Sequence, residues 1–200
     1  GAQNRTQFGT LTNQERFPLE HYSELPQLTS PDPAQWKTVK GTQTGWGDVN
    51  DRYAKHSVPM AKAVKALSLE GWRGEKVYAQ AVVWTSTGAE DLSYELEDLK
   101  GIGGMIPSSG AETGFVRYVL SDGIPDGATS GCWSHPDQTP YDSTMVADCI
   151  DTYLRSTTLG KYEAQAIWLT IKIPSDVAPG LYKGNLTVRD KAGVVGRLAI

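Results

Sequence analysis

The sequence predicts an all-β protein, an antiparallel β-sandwich with a long irregular N-terminal segment and at most one short helix. Two observations lead to this fold class. Short runs of β-branched, aromatic or alternating apolar and polar residues recur over the C-terminal two thirds of the chain, and turn sequences separate them. The 21 glycines and 11 prolines also indicate that loops and turns take a large share of the 200 residues.

The first predicted strands lie in the middle of the chain. Val77–Thr85 is β-branched and aromatic, with Gly74 before it and Gly88 after it. Leu92–Leu99 alternates apolar and polar residues, which is typical of a half-buried strand. Phe115–Leu120 follows a turn rich in glycine and serine, and we expect a third strand there.

The C-terminal forty residues carry the clearest pattern. We expect strands at Ala166–Ile173, Leu181–Arg189 and Val194–Ile200, separated by turns at Pro174–Gly180 and Asp190–Gly193. Strands joined in this way form an antiparallel meander, as in sandwich folds. The chain stops within the last predicted strand, so we expect it to be part of a longer protein.

The remaining segments are less regular. Residues 1–45 are predicted to be an irregular segment packed on a sandwich formed by residues 46–200, because prolines punctuate a polar stretch with little periodicity. In Ser143–Leu154, apolar residues recur at spacings of four, and this pattern fits a short helix and an extended loop equally well.

Composition excludes some function classes. The formal charge is −4 without a basic run, which argues against nucleic acid or an anionic membrane as the main partner. No stretch approaches the roughly 20 apolar residues of a membrane-spanning helix. The start of the chain carries no apolar signal-peptide core, but it also lacks Met, so it gives no information about the compartment.

Candidate catalytic residues are few. Glu95 and Glu97 share one strand face, and Asp148 and Asp151 would share a helix face. Hydrolysis of glycosides needs two carboxylates about 5–10 Å apart across a cleft, whereas two acids on one face are typical of a solvated surface. Because nucleotide loops and metal-binding spacings are also missing from the sequence, we predict no catalytic residue, no metal site and no cofactor.

Tryptophans are the other candidates. Trp84 and Trp168 lie in predicted strands, so we expect both in the core. Trp36, Trp46 and Trp133 lie in loop-like sequence and allow two interpretations. They either pin irregular segments onto the sandwich or expose their rings for stacking against sugars.

Cys132 and Cys149 are the only cysteines. A disulfide between them would close a short loop and contribute about 3 kcal/mol. A bonded pair fits an exported protein, and two free thiols fit a cytosolic one. The residues themselves leave both states open.

Several segments together resemble the N-terminal β-sandwich domain of bacterial proteins related to glycoside hydrolase family 123, which are common in gut Bacteroides. They are Trp46–Lys55, Gly71–Val77 leading into Ala79–Trp84, Tyr118–Asp122, Gly131–Cys132, Val146–Asp148, Ala164–Ile171, Pro179–Gly184 and Leu186–Val188. The resemblance covers roughly residues 45 to 200, and the order and spacing of the segments carry it.

The resemblance implies a function for the chain. In that family the sandwich precedes a barrel whose Asp–Glu pair cleaves N-acetyl-β-galactosaminides, and neither the barrel nor the pair is found in this sequence. It therefore implies a non-catalytic accessory domain that packs against a catalytic domain later in the same chain. It also implies export to the periplasm or cell surface, and with export a Cys132–Cys149 disulfide. The alternative is an independent carbohydrate-binding module that uses Trp36, Trp46 or Trp133.

Overall fold

A computed structural model describes residues 30–59, 64–121 and 144–200. These residues form twelve β-strands and two short 3-10 turns, Gln35–Thr38 and Ser108–Gly110. Neither turn has the length or apolar character for a membrane crossing, and the described residues contain no longer helix. The strands are β1 (Thr42–Gly47), β2 (Lys76–Thr85), β3 (Ala89–Leu96), β4 (Leu99–Gly101), β5 (Gly104–Ile106), β6 (Glu112–Ser121), β7 (Thr144–Asp151), β8 (Thr157–Leu159), β9 (Glu163–Lys172), β10 (Tyr182–Lys183), β11 (Asn185–Asp190) and β12 (Gly193–Ala199).

The strands pair antiparallel in three sheets. A five-stranded sheet has the order β1-β2-β9-β6-β7, and a four-stranded sheet has the order β12-β11-β3-β8. A three-stranded mini-sheet has the order β10-β4-β5. The longest ladder joins β2 and β9 over their full length, from Lys76 opposite Lys172 to Thr85 opposite Glu163. The predicted all-β sandwich is confirmed.

The main core lies between the five-stranded and four-stranded sheets. Alternate residues of each strand point inward, as the period of two requires. Phe115 is fully buried in this core, and its ring meets Tyr94 edge-on with the ring centroids 5.0 Å apart. The other buried members are Trp46, Ala79, Ala81, Val83, Ala89, Leu92, Leu159, Ile167, Leu169, Leu186, Val188 and Leu198.

The opposite face of the five-stranded sheet, here called the outer face, is also covered over part of its length. Trp36 is only 1% exposed and packs in a second core cluster with Val39 and Tyr53. This cluster covers sheet residues that include Val82 and Trp84. The residues on either side of strand β1, 36–41 and 48–58, therefore form a second layer on the sheet, here called the outer layer, and their aromatic side chains attach it.

Hydrogen bonds fix this layer in position. The Gln80 side-chain amide, on β2, donates to the carbonyls of Asp48 (2.7 Å) and Asp51 (3.0 Å). The buried Tyr118 hydroxyl lies 3.0 Å from the Tyr53 carbonyl and 2.8 Å from the Ala164 carbonyl, so it links the layer to β9. The irregular backbone thus finds partners on the sheet, which buried polar groups require.

Residues 64–67 form a strap along one side of the sandwich. The Trp46 amide, on β1, donates to the Val64 carbonyl at 2.8 Å. On β12, the Ala199 amide donates to the Lys65 carbonyl (2.7 Å), and the Ala199 carbonyl accepts from the Leu67 amide (2.9 Å). The strap therefore connects the edge strands of the two large sheets.

Two sequence predictions need correction. Ser143–Leu154 is neither a helix nor a loop, since strand β7 fills most of it. The β6–β7 register shifts between Arg117 and Tyr118, which leaves Asp148 as an extra residue on β7. The bulge interrupts the period of two, and this explains the helix-like spacing. Thr42–Gly47, which spans the predicted boundary at residue 45, is strand β1 rather than irregular chain.

Two predicted strands are also divided differently. The strand expected at Leu92–Leu99 begins at Ala89 and ends at Leu96, and Leu99 begins the mini-sheet strand β4. The strand expected at Leu181–Arg189 is split at Gly184 into β10 and β11. In both cases the chain passes from one sheet to another.

Trp36→Ala tests the outer layer. Truncating this buried ring should lower the free energy of unfolding by about 3–5 kcal/mol, measured by urea denaturation, because it leaves a large cavity. Trp72→Ala is the matched control, since Trp72 is 84% exposed, and it should change stability by no more than about 0.5 kcal/mol. If both substitutions lower the free energy of unfolding by the same amount, Trp36 does not attach the outer layer to the sheet.

Alkaline pH tests the burial of Tyr53. Burial is the main cause that raises the pKa of Tyr53 to about 12. The unfolded chain releases this proton near pH 10, so the stability that Tyr53 contributes is present below pH 10 and is lost as the pH rises through 12. Between these values, the melting temperature of Tyr53→Phe should fall less steeply than that of the wild type. Tyr153→Phe, at a position 89% exposed, should follow the wild-type slope.

Candidate functional site

A groove of about 550 Å³ lies where β3, β4, β10 and β12 meet, and we call it the terminal groove. Seven of its eleven lining residues are polar or charged, and the lining also includes residue 200, the last of this sequence. The lining residues are Glu95, Leu96, Glu97, Asp98, Lys100, Ser108, Lys183, Gly184, Asn185, Ala199 and Ile200.

Backbone pairing holds Ile200 in this groove. The Ile200 amide donates to the Gly184 carbonyl at 3.0 Å, and the Gly184 amide donates to the Ile200 carbonyl at 3.1 Å. A Cβ atom at residue 184 would lie 2.7 Å from the Leu99 Cδ2 atom and 3.1 Å from the Asp98 carbonyl. The glycine therefore allows β10 and β11 to pass close to β4 while keeping this reciprocal pair.

The acidic side chains of the groove have structural partners. Glu97 accepts a hydrogen bond from the Asn185 side chain at 2.9 Å. Asp98 accepts from the amide (2.8 Å) and the hydroxyl (2.9 Å) of Ser108. These bonds lower the pKa of Asp98, the amide bond most of all. A general acid needs its pKa raised, so Asp98 is adapted to holding the Ser108–Gly110 turn rather than to proton donation.

An aliphatic surface adjoins the mini-sheet, and we call Ile102, Met105 and Leu181 the hairpin patch. Ile102 is fully exposed, Leu181 is 70% exposed and Met105 is 47% exposed. Tyr182 pairs with Gly101 in the β10–β4 ladder, which brings Leu181 beside Ile102 at the end of that ladder. Such exposure of neighbouring aliphatic side chains indicates a contact surface.

The loop tryptophans do not form a sugar-stacking surface in the described residues. Trp36 is 1% exposed and Trp46 is 3% exposed, so burial at these two positions contradicts the second of the two interpretations, exposed rings that stack on sugars. Trp46 lies in the main core, where its indole N–H donates to the Ala199 carbonyl at 2.9 Å. Trp133 lies outside the described residues.

The cysteine prediction stays open. Cys149 is exposed on β7, and Cys132 lies outside the described residues. The disulfide between them therefore remains a prediction.

Asp148 and Asp151 are engaged at the sandwich edge and do not share a helix face. Asp148 pairs with Arg52 (3.2 Å), and Asp151 pairs with Arg117 (3.1 Å). Asp151 also accepts hydrogen bonds from the Tyr153 and Leu154 amides, which are the main cause of its lowered pKa. Neither carboxylate is set across a cleft from the other as glycoside hydrolysis requires.

Sequence reasoning missed an aromatic strip on the outer face. Trp84 is buried as expected, but Trp168 is only partly buried, because it lies on the outer face and not between the sheets. Its ring centroid is 6.1 Å from that of Tyr78, which is 48% exposed. We call Tyr78, Trp168 and the 42% exposed Ile150 the aromatic strip. Tyr78, Gln80 and Val82 are spaced two residues apart on β2 and therefore lie on the same face of the sheet. This spacing was the sequence pattern that could have indicated the strip.

Comparison with known proteins places the chain among glycosidase-associated sandwiches. Residues 46–190 match the model of the glycoside hydrolase 123 N-terminal domain family. The fold is similar to a solved structure of a family 123 glycoside hydrolase from Clostridium perfringens, reported in a study of glycolipid glycan hydrolysis, with a TM-score of 0.62 and 17% sequence identity. The likeness covers 80% of this chain and 26% of that one, so this chain spans about a quarter of that protein's length. No curated protein sequence matches the chain.

Gly101→Ala tests the support of the hairpin patch. A Cβ atom at residue 101 would lie 2.5 Å from the Leu181 carbonyl oxygen, and relieving this backbone clash should cost about 1–3 kcal/mol of stability. Gly110→Ala is the matched control because a Cβ atom there meets nothing within 4 Å. Thermal unfolding should separate the two variants clearly. If they unfold together, the mini-sheet does not contribute to the stability of the domain.

Proposed function

Because this chain belongs to the glycoside hydrolase 123 N-terminal domain family, we propose that it is a non-catalytic accessory β-sandwich of a larger glycosidase. In this proposal the parent is an exported bacterial enzyme of the N-acetyl-β-galactosaminidase type. The sandwich packs against a catalytic barrel that follows it in the same chain and supports that barrel. The observation that carries the proposal is the match of residues 46–190 to the glycoside hydrolase 123 N-terminal domain family.

The position of Ile200 sets the geometry of such an arrangement. The reciprocal bonds between Ile200 and Gly184 hold the backbone against β10 and β11 up to its last residue. A chain that continues from Ile200 leaves the sandwich at the terminal groove. The first surfaces that a following domain can reach are therefore the groove and the neighbouring mini-sheet.

The chemistry of these two surfaces suits contact between domains. The hairpin patch offers exposed aliphatic side chains, which form the water-excluding centre of protein contacts. The groove beside it carries both signs of charge, since its lining includes Glu95, Glu97, Lys100 and Lys183. A polar rim around an apolar centre is the usual arrangement at interfaces between domains.

A supporting role without catalysis also agrees with the arrangement of the candidate acids, which are those of the groove together with Asp148 and Asp151. Asp98 is committed to the Ser108–Gly110 turn, and Asp148 and Asp151 are committed to ion pairs with Arg52 and Arg117. Glu95 and Glu97 lie on the groove rim, on the same strand end. None of these arrangements offers the opposed pair of carboxylates that family chemistry would use.

The test uses the parent protein encoded past the codon for Ile200. Ile102→Asp and Leu181→Asp place charges in the hairpin patch, so each should lower the melting temperature of the following domain in the parent while leaving the 200-residue chain as stable as before. Burying an unpaired carboxylate in a domain interface costs several kcal/mol, and the expected shift is therefore several degrees. Tyr153→Asp, at an equally exposed position outside the patch, is the control.

The proposal also predicts that the 200-residue chain on its own has no glycosidase activity. That chain should not hydrolyse 4-nitrophenyl N-acetyl-β-galactosaminide, whereas the parent should. Turnover by the short chain would contradict the accessory role. A reading frame that ends within a few codons of Ile200 would contradict the supporting role.

A further inference from the structure

We infer that the aromatic strip on the outer face is a binding site for a sugar unit of a soluble glycan, with Tyr78 and Trp168 stacking against the apolar face of one pyranose ring. This site lies on a different surface from the terminal groove and does not depend on the proposed contact with a following domain. It also differs from the loop tryptophans that the sequence suggested, since two of those are buried.

The strip is exposed because the outer layer stops short of it. The outer layer covers the sheet around Val82 and Trp84, and the Gln80 amide donates hydrogen bonds to the carbonyls of Asp48 and Asp51. Two residues further along β2, Tyr78 is 48% exposed. The sheet thus changes from a covered surface to an open one within a single strand.

The geometry of the strip is preorganised. The Trp168 indole N–H donates to the Thr170 hydroxyl at 3.1 Å, which orients the ring. The Tyr78 and Trp168 rings are inclined by 42°, so they form a shallow angle instead of a flat plane. A site whose rings are already fixed loses little conformational entropy when it binds a ligand.

Glycine at position 114 keeps the strip open on its other side. Gly114 lies opposite Trp168 on the neighbouring strand β6. A Cβ atom at residue 114 would lie 2.8 Å from the Ile150 Cγ2 atom, so Ile150 of β7 occupies the space above the glycine. Tyr78, Trp168 and Ile150 therefore follow one another across the sheet without a polar side chain between Trp168 and Ile150.

Charged groups border this apolar strip closely. Lys76, two residues from Tyr78 on β2, forms an ion pair with Glu112 at 3.8 Å. Asp148, two residues from Ile150 on β7, forms an ion pair with Arg52 at 3.2 Å. Because the centre of a protein–protein interface is depleted in Lys, Glu and Asp, these ion pairs make the strip less suited to a protein partner. Exposed ion pairs next to aromatic rings suit a ligand that presents both C–H groups and hydroxyls, which is the chemistry of a sugar.

A single pyranose ring fits two inclined rings. The C–H bonds on one face of a pyranose form a compact apolar patch, and this patch packs on aromatic faces. The 42° inclination disfavours the flat surface of a crystalline polysaccharide, which needs coplanar rings. A single sugar unit of a soluble glycan matches the size of the pair.

The test titrates the 200-residue chain with methyl β-galactoside and methyl N-acetyl-β-galactosaminide, followed by NMR of the tryptophan indole N–H signals. We expect saturable shifts of the Trp168 signal with millimolar affinity. Tyr78→Ala should weaken binding about tenfold or more, corresponding to about 1.4 kcal/mol. Tyr153→Ala is the matched control because it removes an exposed tyrosine that stacks on no ring in the described residues, and it should bind as the wild type does.

Each other outcome overturns the inference. An absence of saturable shifts with both sugars would show that the strip is not a site for them. Binding that survives Tyr78→Ala would place the sugar elsewhere on the chain. Self-association in sedimentation experiments that Tyr78→Ala abolishes, without sugar binding, would assign the strip to a contact between copies. Amide spectra and melting temperatures of both variants establish that they are folded.

Discussion

The sandwich depends on one constraint, that its central sheet is apolar over part of both faces and must be covered on both. The four-stranded sheet covers the inner face, where Phe115, Ile167 and Leu169 are fully buried. Residues 36–41 and 48–58 cover part of the outer face with a largely irregular layer. Without that layer, Val82, Trp84 and Ala166 would meet water, and such a loss is large relative to the few kcal/mol that keep a domain folded. The layer explains the burial of Trp36, the bonds of Gln80 and the high pKa of Tyr53 together.

The pattern of apolar residues predicted most of the sandwich but little of its outer surface. Runs of β-branched and aromatic residues predicted β2 and β6, and alternation of apolar and polar residues predicted β9, β11 and β12. In the structure the last seven residues of β2 are all buried, because both of its faces are covered there. Strand β7 could not be recognised because the extra residue Asp148 disturbs its period. Strand β1 was hidden by the glycines around Trp46, although Gly47 is there because the Tyr53 ring packs directly on it. The role of each tryptophan depends on which sheet face the rest of the chain covers, and local pattern does not contain that information.

The two exposed apolar surfaces differ in chemistry, and the difference separates their proposed roles. The hairpin patch is aliphatic, lies beside the last residue of the sequence and adjoins a groove of mixed charge. The aromatic strip has oriented rings, bordered by ion pairs, on the outer face of the five-stranded sheet. One surface suits a protein partner and the other suits a glycan. An accessory domain built in this way would hold a catalytic partner and its substrate on separate sides.

The strap at residues 64–67 has a consequence for solubility. β1 and β12 are the outermost strands on one side of their sheets, and unpaired backbone at such positions invites strand addition from other molecules. The strap engages backbone groups of Trp46 and Ala199 through Val64, Lys65 and Leu67. The strap thus occupies backbone groups at one point of each edge, where the two sheet edges lie next to each other, and leaves less unpaired backbone there for another molecule to pair with.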